Sequence, residues 1–371
     1  MHSSSKTEAR IKTIVFHINT IRGGGAARVM LQLAYHFSQI GYHSVLVTSF
    51  ADTEHDYPVP PEITRLSLEA RESSYTFLKR NVSRIGKLRK LCKELKPDAV
   101  ISFMAEPNFR ALCATLGLPV KNIISVRNDP NREYAEITRY VLGKFGYLLA
   151  DGCIFQTEDA KKWFPKAIQR KSAVILNDVK EEFFSIDRKP TKTVVSIGRL
   201  SAQKNYSLLI DAYTRIAPKH PEYRLLIYGM GKLHDELQEQ IQRLKMENTI
   251  LFRGHTSNVA EVLSHADVFV LSSDYEGLPN SLMEALAAGV PCISTDCPCG
   301  GPKSIIESEK NGILVPPNNL DQLSDAIDRL LSDELLRERL SENAKKSAKL
   351  FHPQVVFNQW RNYVENILET S

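Results

Sequence analysis

Two doubly wound α/β domains in tandem are what this 371-residue sequence predicts. Three observations point there. The length exceeds what one hydrophobic core ordinarily supports. Short apolar runs without polar alternation recur between helix-like stretches, the mark of parallel strands covered on both faces. The scheme then restarts in mid-chain, after the polar, proline-bearing SIDRKPT at 185–191. The expected division is 1–186, 187–351, and a final aromatic helix in 352–371. Whether that helix crosses back to the first domain stays open at this stage.

In order, KTIVFHI (12–18) is the first strand, and the glycines of GGGAARV (23–29) lead into the helix that follows. HSVLVTSF (43–50), AVISFM (99–104), NIISV (122–126), GCIFQ (152–156) and SAVILN (172–177) complete the first half. KTVVSIG (192–198) opens the second, continued by YRLLIYG, TILFRG, VFVLSS, PCISTD and GILVPP. Open α/β sheets bind ligands beyond the carboxyl ends of their strands, so two such domains are expected to face each other across a ligand cleft.

The bulk numbers exclude several classes. Apolar residues at 43% and charged ones at 25% describe a globular chain, not a disordered one. No run approaches the about 18 apolar residues of a spanning helix, and MHSSSKTEARIK lacks the apolar middle of a signal peptide. Six scattered cysteines, with CPC at 297–299 too tight for a disulfide or zinc framework, read as reduced thiols of a cytoplasmic protein. Residues 1–186 hold 27 Lys/Arg against 19 Asp/Glu, a net +8; residues 187–371 hold 21 against 24, a net −3. Much of the excess lies in TFLKRNVSRIGKLRKLCKELK (76–96), an amphipathic helix by its period. Its cations are either the solvated face of a packed helix or a flank that rests on an anionic membrane surface or steers an anionic acceptor. No aromatic-interleaved platform accompanies them, so nucleic acid is not the expected partner.

The strand-end loops carry the chemistry. Gly24 and Gly25 leave backbone N–H groups near a helix N-terminus open to an anion, but Arg28 breaks a G-x-G-x-x-G fingerprint and no Gly-Lys-Ser/Thr follows. In GRLSAQKNYSLL, Arg199 leaves a strand end and Lys204 precedes a helix that Asn205 can cap, a pair suited to clamp a diphosphate. Gly229 and Gly231 lie between a strand and a helix, and Arg253 and Gly254 end another strand, where backbone groups can read a flat base edge. Simple turns explain each of these loops equally well. In SDYEGLPNSLMEALAAG, Glu276 is delivered at a strand end, Gly277 permits a tight path, Leu278 and Pro279 stiffen it, and Asn280 or Ser281 starts the next helix. Glu284 has two readings: the acid of a Ser281-x-x-Glu284 capping box, or one of two carboxylates that grip the hydroxyls of a sugar and a ribose. Arg127, in SVRNDPNREY, either pairs with Asp129 or Glu133 in a turn or meets an acceptor or phosphate.

E-G-L-P-N-S-L-M-E at 276–284, with G-R-L at 198–200 and Q-K-N at 203–205, resembles the retaining glycosyltransferases of family 4, of GT-B fold with two Rossmann-like domains. The resemblance spans nearly the whole chain. It implies that Arg199 and Lys204 hold the donor diphosphate, that Glu276 stands by the donor sugar and Glu284 by the ribose, and that Gly24 and Gly25 approach phosphate and acceptor. Two departures stand out. Lys303 occupies the place of the acid in the family's usual Gly-Pro-Glu, and Ser102, Phe103 and Met104 stand where many relatives carry a histidine. The implied reaction moves a hexose or N-acetylhexosamine from a nucleotide diphosphate sugar, UDP-linked by preference, to a saccharide or lipid-linked saccharide. Such reactions serve capsule, lipopolysaccharide or related surface-polysaccharide biosynthesis. With no Asp-x-Asp motif, neither metal nor other cofactor is expected, and the place of action is the cytoplasm, peripheral to the inner face of the membrane. A sugar-nucleotide epimerase, a dinucleotide oxidoreductase and a non-catalytic sugar-nucleotide binder are the rival readings.

Overall fold

The structure, a computed structural model, describes residues 11–22, 24–69 and 77–370. Gly23, Thr76 and the polar N-terminal residues 1–10 lie outside the described residues. The chain separates into two compact units. One runs to Phe155 and adds Lys162–Ala173 and the chain from Phe357 on; the other holds Gln156–Lys161 and Val174–Val356.

In the first unit β1 (Thr13–Ile18), β2 (His43–Thr48), β3 (Thr64–Ser67), β4 (Ala99–Phe103), β5 (Lys121–Ser125), β6 (Gly152–Phe155) and β7 (Ser172–Val174) form one sheet. Its order is β3-β2-β1-β4-β5-β6-β7. All six residues of β1 and all five of β4 are buried, as expected of strands covered on both faces. Val15, Val45, Val47 and Val100 pack against Leu88 and Cys92 of the Phe77–Leu95 helix. That helix turns Ile85, Leu88, Leu91, Cys92 and Leu95 to the core, while Val82 is exposed. Its cations largely serve nearby groups: Arg84 bonds Glu69 at 2.8 Å, Lys87 the Leu68 carbonyl at 2.8 Å, and Arg89 the carbonyls of Ala114 and Leu116 at 2.9 and 2.8 Å.

The C-terminal helix, Pro353–Glu369, packs from Phe357 onward in the first unit. The Tyr363 hydroxyl accepts from the Cys153 N–H at 2.8 Å and donates to the Lys171 carbonyl at 2.6 Å. Gly152 makes room for this: a Cβ there would lie 2.4 Å from Ile367 and 2.7 Å from the Tyr363 oxygen.

The second unit carries β8 (Thr193–Ile197), β9 (Arg224–Tyr228), β10 (Ile250–Phe252), β11 (Val268–Leu271), β12 (Cys292–Thr295) and β13 (Ile313–Val315). Their order is β10-β9-β8-β11-β12-β13, with every pairing parallel. Val194, Val270 and Ile293 meet Leu209, Tyr213 and Leu323 in its core. SIDRKPT lies inside this unit, where Arg188 donates to the carbonyls of Ala266 at 2.6 Å and Gly289 at 2.7 Å. Connections leave β8 in one direction and β11 in the other, so the sheet has its topological switch point between them, where a crevice opens at the carboxyl ends.

Candidate active site

The two loops that flank this switch point, after β8 and after β11, hold Arg199, Lys204 and Glu276. The first is a tight path. Gly198 donates to the Tyr228 carbonyl at 2.9 Å and Leu200 to the Met230 carbonyl at 3.0 Å, which lays the β8 loop on the β9 loop. Only glycine fits opposite: a Cβ on Gly229 would stand 1.8 Å from the Gly198 oxygen, and one on Gly231 2.1 Å from the Leu200 oxygen. Gly229 also donates to the Gly254 carbonyl at 2.8 Å, so the ends of β8, β9 and β10 are laced together. Gly254 has φ +68, and its neighbour Arg253 is exposed.

A 3-10 turn, Ala202–Lys204, ends at Asn205, whose left-handed backbone (φ 45) turns its side chain to accept from Leu208 and cap the Tyr206–Ile216 helix. The turn is tied to the end of β11. Ser272 donates to the Lys204 carbonyl at 2.9 Å, Asp274 N–H to the Gln203 carbonyl at 2.8 Å, and Asn205 Nδ2 to the Asp274 carboxylate at 2.7 Å.

Those ties fix Lys204 and Glu276 side by side. Glu276 is 7% exposed, and its carboxylate accepts from Lys204 Nζ at 2.6 Å, Ser273 Oγ at 2.7 Å and Gln203 Nε2 at 3.3 Å. Its backbone is held too: the N–H donates to Pro298 at 2.6 Å and the carbonyl accepts from Cys299 at 2.9 Å. Thr157 in turn donates to the Cys299 carbonyl at 2.9 Å. Gly277 lies against Gly301, where a Cβ would come within 1.7 Å of the Gly277 oxygen. Arg199 is exposed and, among the described residues, its guanidinium makes no ion pair. One cation of the pair thus faces solvent, and the other is already engaged by a carboxylate.

The Asn280–Ala287 helix begins right after Leu278 and Pro279, with Pro279 as its N-cap and no side-chain cap. This corrects the capping-box reading: Ser281 is already the second helical residue, so it cannot cap. Glu284 is a buried residue of the helix interior, 6% exposed. Asn280 accepts from Asn177 at 2.7 Å, which orients the first turn. Lys303, the departure from the family acid, pairs with Asp159 at 2.6 Å.

In the other unit Gly24 is the N-cap of the Gly25–Gln39 helix at φ 85, ψ 157, a backbone that favours glycine. Arg127 is 8% exposed, its guanidinium stacked 3.9 Å from the Phe103 ring centroid. Asp129 caps a short helix through Asn131 N–H at 3.0 Å. Glu133 accepts from the Ala105 N–H at 2.7 Å while its other oxygen is buried with no partner among the described residues, and burial pushes its carboxyl up to about 7. At the ends of β1 and β4, Glu106 accepts from Asn19 and Arg139, each at 3.2 Å.

Sequence reasoning assigned no role to Gln203, Ser273, Asn19 or Arg139. Gln203 lies within Q-K-N at 203–205, the one local signal that points to it. Ser273 and Asn19 are ordinary strand-end polar residues until the fold brings an acid to them.

Comparison with known proteins identifies the family. The family model described as "Glycosyl transferases group 1" matches residues 178–347, and "Glycosyltransferase Family 4" matches 23–182. An uncharacterized glycosyltransferase of Methanocaldococcus jannaschii is 30% identical over 77% of this chain and 84% of its own length. A Campylobacter jejuni enzyme named as an alpha-1,4-N-acetyl-D-galactosaminyltransferase acting on a diNAcBac-PP-undecaprenol-linked saccharide is 28% identical over 95% of this chain and 98% of its own. Among solved structures, Anabaena HepE in complex with UDP and glucose superposes with a TM-score of 0.79 at 18% identity, over 96% of this chain and all of that one. The chain belongs to the family 4 glycosyltransferases, enzymes of GT-B fold.

Proposed function

We propose that this enzyme transfers a hexosyl or N-acetylhexosaminyl group, with retention of anomeric configuration and without a metal, from a UDP-sugar to a lipid-linked saccharide. The observation that carries the reading is Glu276, buried and clamped by Lys204, Gln203 and Ser273 beside the exposed Arg199. The named activity of the Campylobacter relative and the UDP complex of HepE support the acceptor and donor classes.

In this reading Arg199 and Lys204 take the diphosphate, and the start of the Asn280–Ala287 helix adds its partial positive charge. Gly277, Leu278, Pro279 and Asn280 carry the chain past the phosphates, Glu284 holds the ribose diol, and the Gly229, Arg253 and Gly254 loops border the base. Gly24, Gly25 and Arg127 serve the acceptor. Glu276, fixed by its donors, accepts sugar hydroxyls. The C1–O bond to the diphosphate breaks as the acceptor oxygen bonds C1 on the same face, and the acceptor proton passes to the departing phosphate oxygen. The barrier is charge separation. Fixed cations that meet the growing negative charge of the diphosphate lower it without reorganisation, each worth roughly a hundredfold or more in rate.

No helix among the described residues is long and apolar enough to cross a membrane. A lipid-linked acceptor therefore calls for peripheral attachment, on the cytoplasmic side where nucleotide sugars are found. Purified enzyme incubated with UDP-sugars and a short-chain polyprenyl-diphosphate saccharide is expected to give an α-linked product from an α-linked donor, with turnover unchanged by EDTA. An inverted product, loss of activity in EDTA, an epimer from donor alone, or donor binding without product would each refute it.

A further inference from the structure

Large apolar side chains are unevenly exposed. Of the seventeen found exposed among the described residues, six fall within thirteen residues of the first unit: Ile137, Tyr140, Val141, Phe145, Leu148 and Leu149. They lie on the helix Ile137–Phe145 and the 3-10 turn Gly146–Leu149 that continues it. At 100° per residue Ile137, Tyr140, Val141 and Phe145 share one face. Ile137, Phe145 and Leu149 are 73%, 63% and 64% exposed.

The opposite face is committed to the core. Gly143 is buried, and a Cβ there would meet the Tyr134 ring at 2.9 Å; Tyr147 in the turn is 1% exposed. The apolar stripe is therefore held outward by packing, not left out by a loosely placed helix. Cations predominate at its rim. Residues 137–150 and 162–173 contain six Lys/Arg and no Asp/Glu. Lys171 donates to the Leu148 carbonyl at 2.7 Å, which sets its ammonium beside the exposed turn, and the Lys166–Arg170 helix packs on that same turn. The acids at the border are already paired: Glu136 lies 3.5 Å from Arg139, and Asp151 lies 3.7 Å from Lys121.

We propose that this face is the membrane-docking surface: the stripe enters the interface of an anionic bilayer and the surrounding cations meet lipid headgroups. An apolar face rimmed by Lys and Arg is what interfacial binding requires, and it exceeds the scattered apolar exposure normal for a soluble surface. A second copy fits poorly, because a two-fold contact would bring Lys166, Arg170 and Lys171 together with their own copies, while the acids beside the stripe, Glu106 and Glu136, are already engaged by Arg139. The basic Phe77–Leu95 helix is the weaker candidate: its described apolar side chains pack inward, apart from Val82 at 64% exposure. The proposal deepens the reading of a lipid-linked acceptor and rests on it for its purpose, while its test does not depend on turnover.

The test is flotation of the full chain with phosphatidylcholine vesicles, with and without phosphatidylglycerol. Wild type is expected to bind the anionic vesicles and to be released by salt. F145D/L149D, at exposed positions, should bind at least about tenfold less. K166Q/R170Q should bind about 25-fold less, at about 1 kcal/mol per cation. K90Q/K93Q on the basic helix should bind within about threefold of wild type. Unchanged melting and UDP response in F145D/L149D establish that its fold is intact. The proposal is overturned if wild type binds neither vesicle, if F145D/L149D binds as wild type does, or if K90Q/K93Q loses as much as K166Q/R170Q. It is also overturned if wild type forms a dimer that F145D/L149D abolishes. Transfer to a water-soluble acceptor, unchanged in F145D/L149D, separates docking from the transferase reading: binding with no transfer by any variant would refute that reading alone.

Discussion

Glu276→Gln is predicted to strengthen the grip on UDP while it cripples transfer. The Lys204 ammonium lies 2.6 Å from the carboxylate, with the two side chains 16% and 9% exposed. Unit charges about 4 Å apart at an effective dielectric of about 20 attract by about 4 kcal/mol, most of which offsets the desolvation of both groups. A diphosphate that takes up Lys204 must compete with that carboxylate and also tolerate its charge nearby. Glutamine keeps one acceptor oxygen for Ser273, leaves Gln203 its bond to the Tyr275 carbonyl at 2.9 Å, and removes the charge, so Lys204 is freed for phosphate. A net gain of about 1 kcal/mol lowers the Kd for UDP about fivefold. kcat should fall by about a hundredfold or more, because a carboxylate addressed to the sugar is lost. Lys204→Ala is the mirror case. It weakens UDP by about tenfold or more, and it destabilises the fold by about 3 kcal/mol because Glu276 stays buried without its cation. Calorimetric titration with UDP, steady-state transfer and urea melts of the two single variants and the double variant read every term. If Glu276→Gln weakens UDP as much as Lys204→Ala does, Glu276 is a nucleotide ligand and its assignment to the sugar is wrong.

Three further predictions concern the scaffold. Gly229→Ala places a Cβ 1.8 Å from the Gly198 oxygen at φ +151, so it should cost about 3 kcal/mol or more and abolish the UDP-induced rise in Tm; Gly254→Ala, strained at φ +68 but with nothing within 4 Å, should cost only about 1 kcal/mol. Gly152→Ala pushes Ile367 and Tyr363 away and should cost about 2 kcal/mol, visible as faster amide exchange in the Pro353–Glu369 helix from Phe357 on. The third is a pH effect with two opposed signs. Burial holds His17 down to about 3 against an ordinary 6.5, so stability falls with acidification from about pH 6.5 towards 3 as the unfolded chain takes up the proton. Burial holds Glu133 up to about 7 against 4.5, so acidification from about pH 7 to 4.5 favours the folded state, which takes up the proton first. Between about pH 6.5 and 4.5 the two oppose each other. Glu133→Gln should remove up to about 3 kcal/mol of that compensation and steepen the acid loss in urea melts; an unchanged pH profile would contradict the raised carboxyl.

How much of this was legible in the sequence depends on how local the cause was. Twelve of the strands announce themselves because a covered parallel strand carries a run of apolar residues without polar alternation, whichever neighbour it takes. β3 (TRLS) is an edge strand, exposed at Thr64 and Ser67 and half-buried between, so its sequence carries no such mark. Lys204 and Glu276 were readable as a motif, whereas Gln203 acquires a purpose only when a loop after β8 meets a loop after β11, 73 residues on; Ser273 bonds Glu276 within one loop, a contact that no motif marks. Ser281-x-x-Glu284 has the spacing of a capping box, yet Pro279 takes the cap and draws Ser281 into the helix. The same limit governs the charged surfaces. The 76–96 run is the most basic stretch of the sequence, but Arg84, Lys87 and Arg89 bond groups of the protein itself. In ITRYVLGKFGYLL the sequence marks no surface, because periodicity shows that an apolar face exists and not which way it points. Its direction is set by Gly143 against the Tyr134 ring, where any larger residue would lift the helix off the core. A small residue can thus decide that an apolar stripe faces outward, and no hydropathy scale registers that choice.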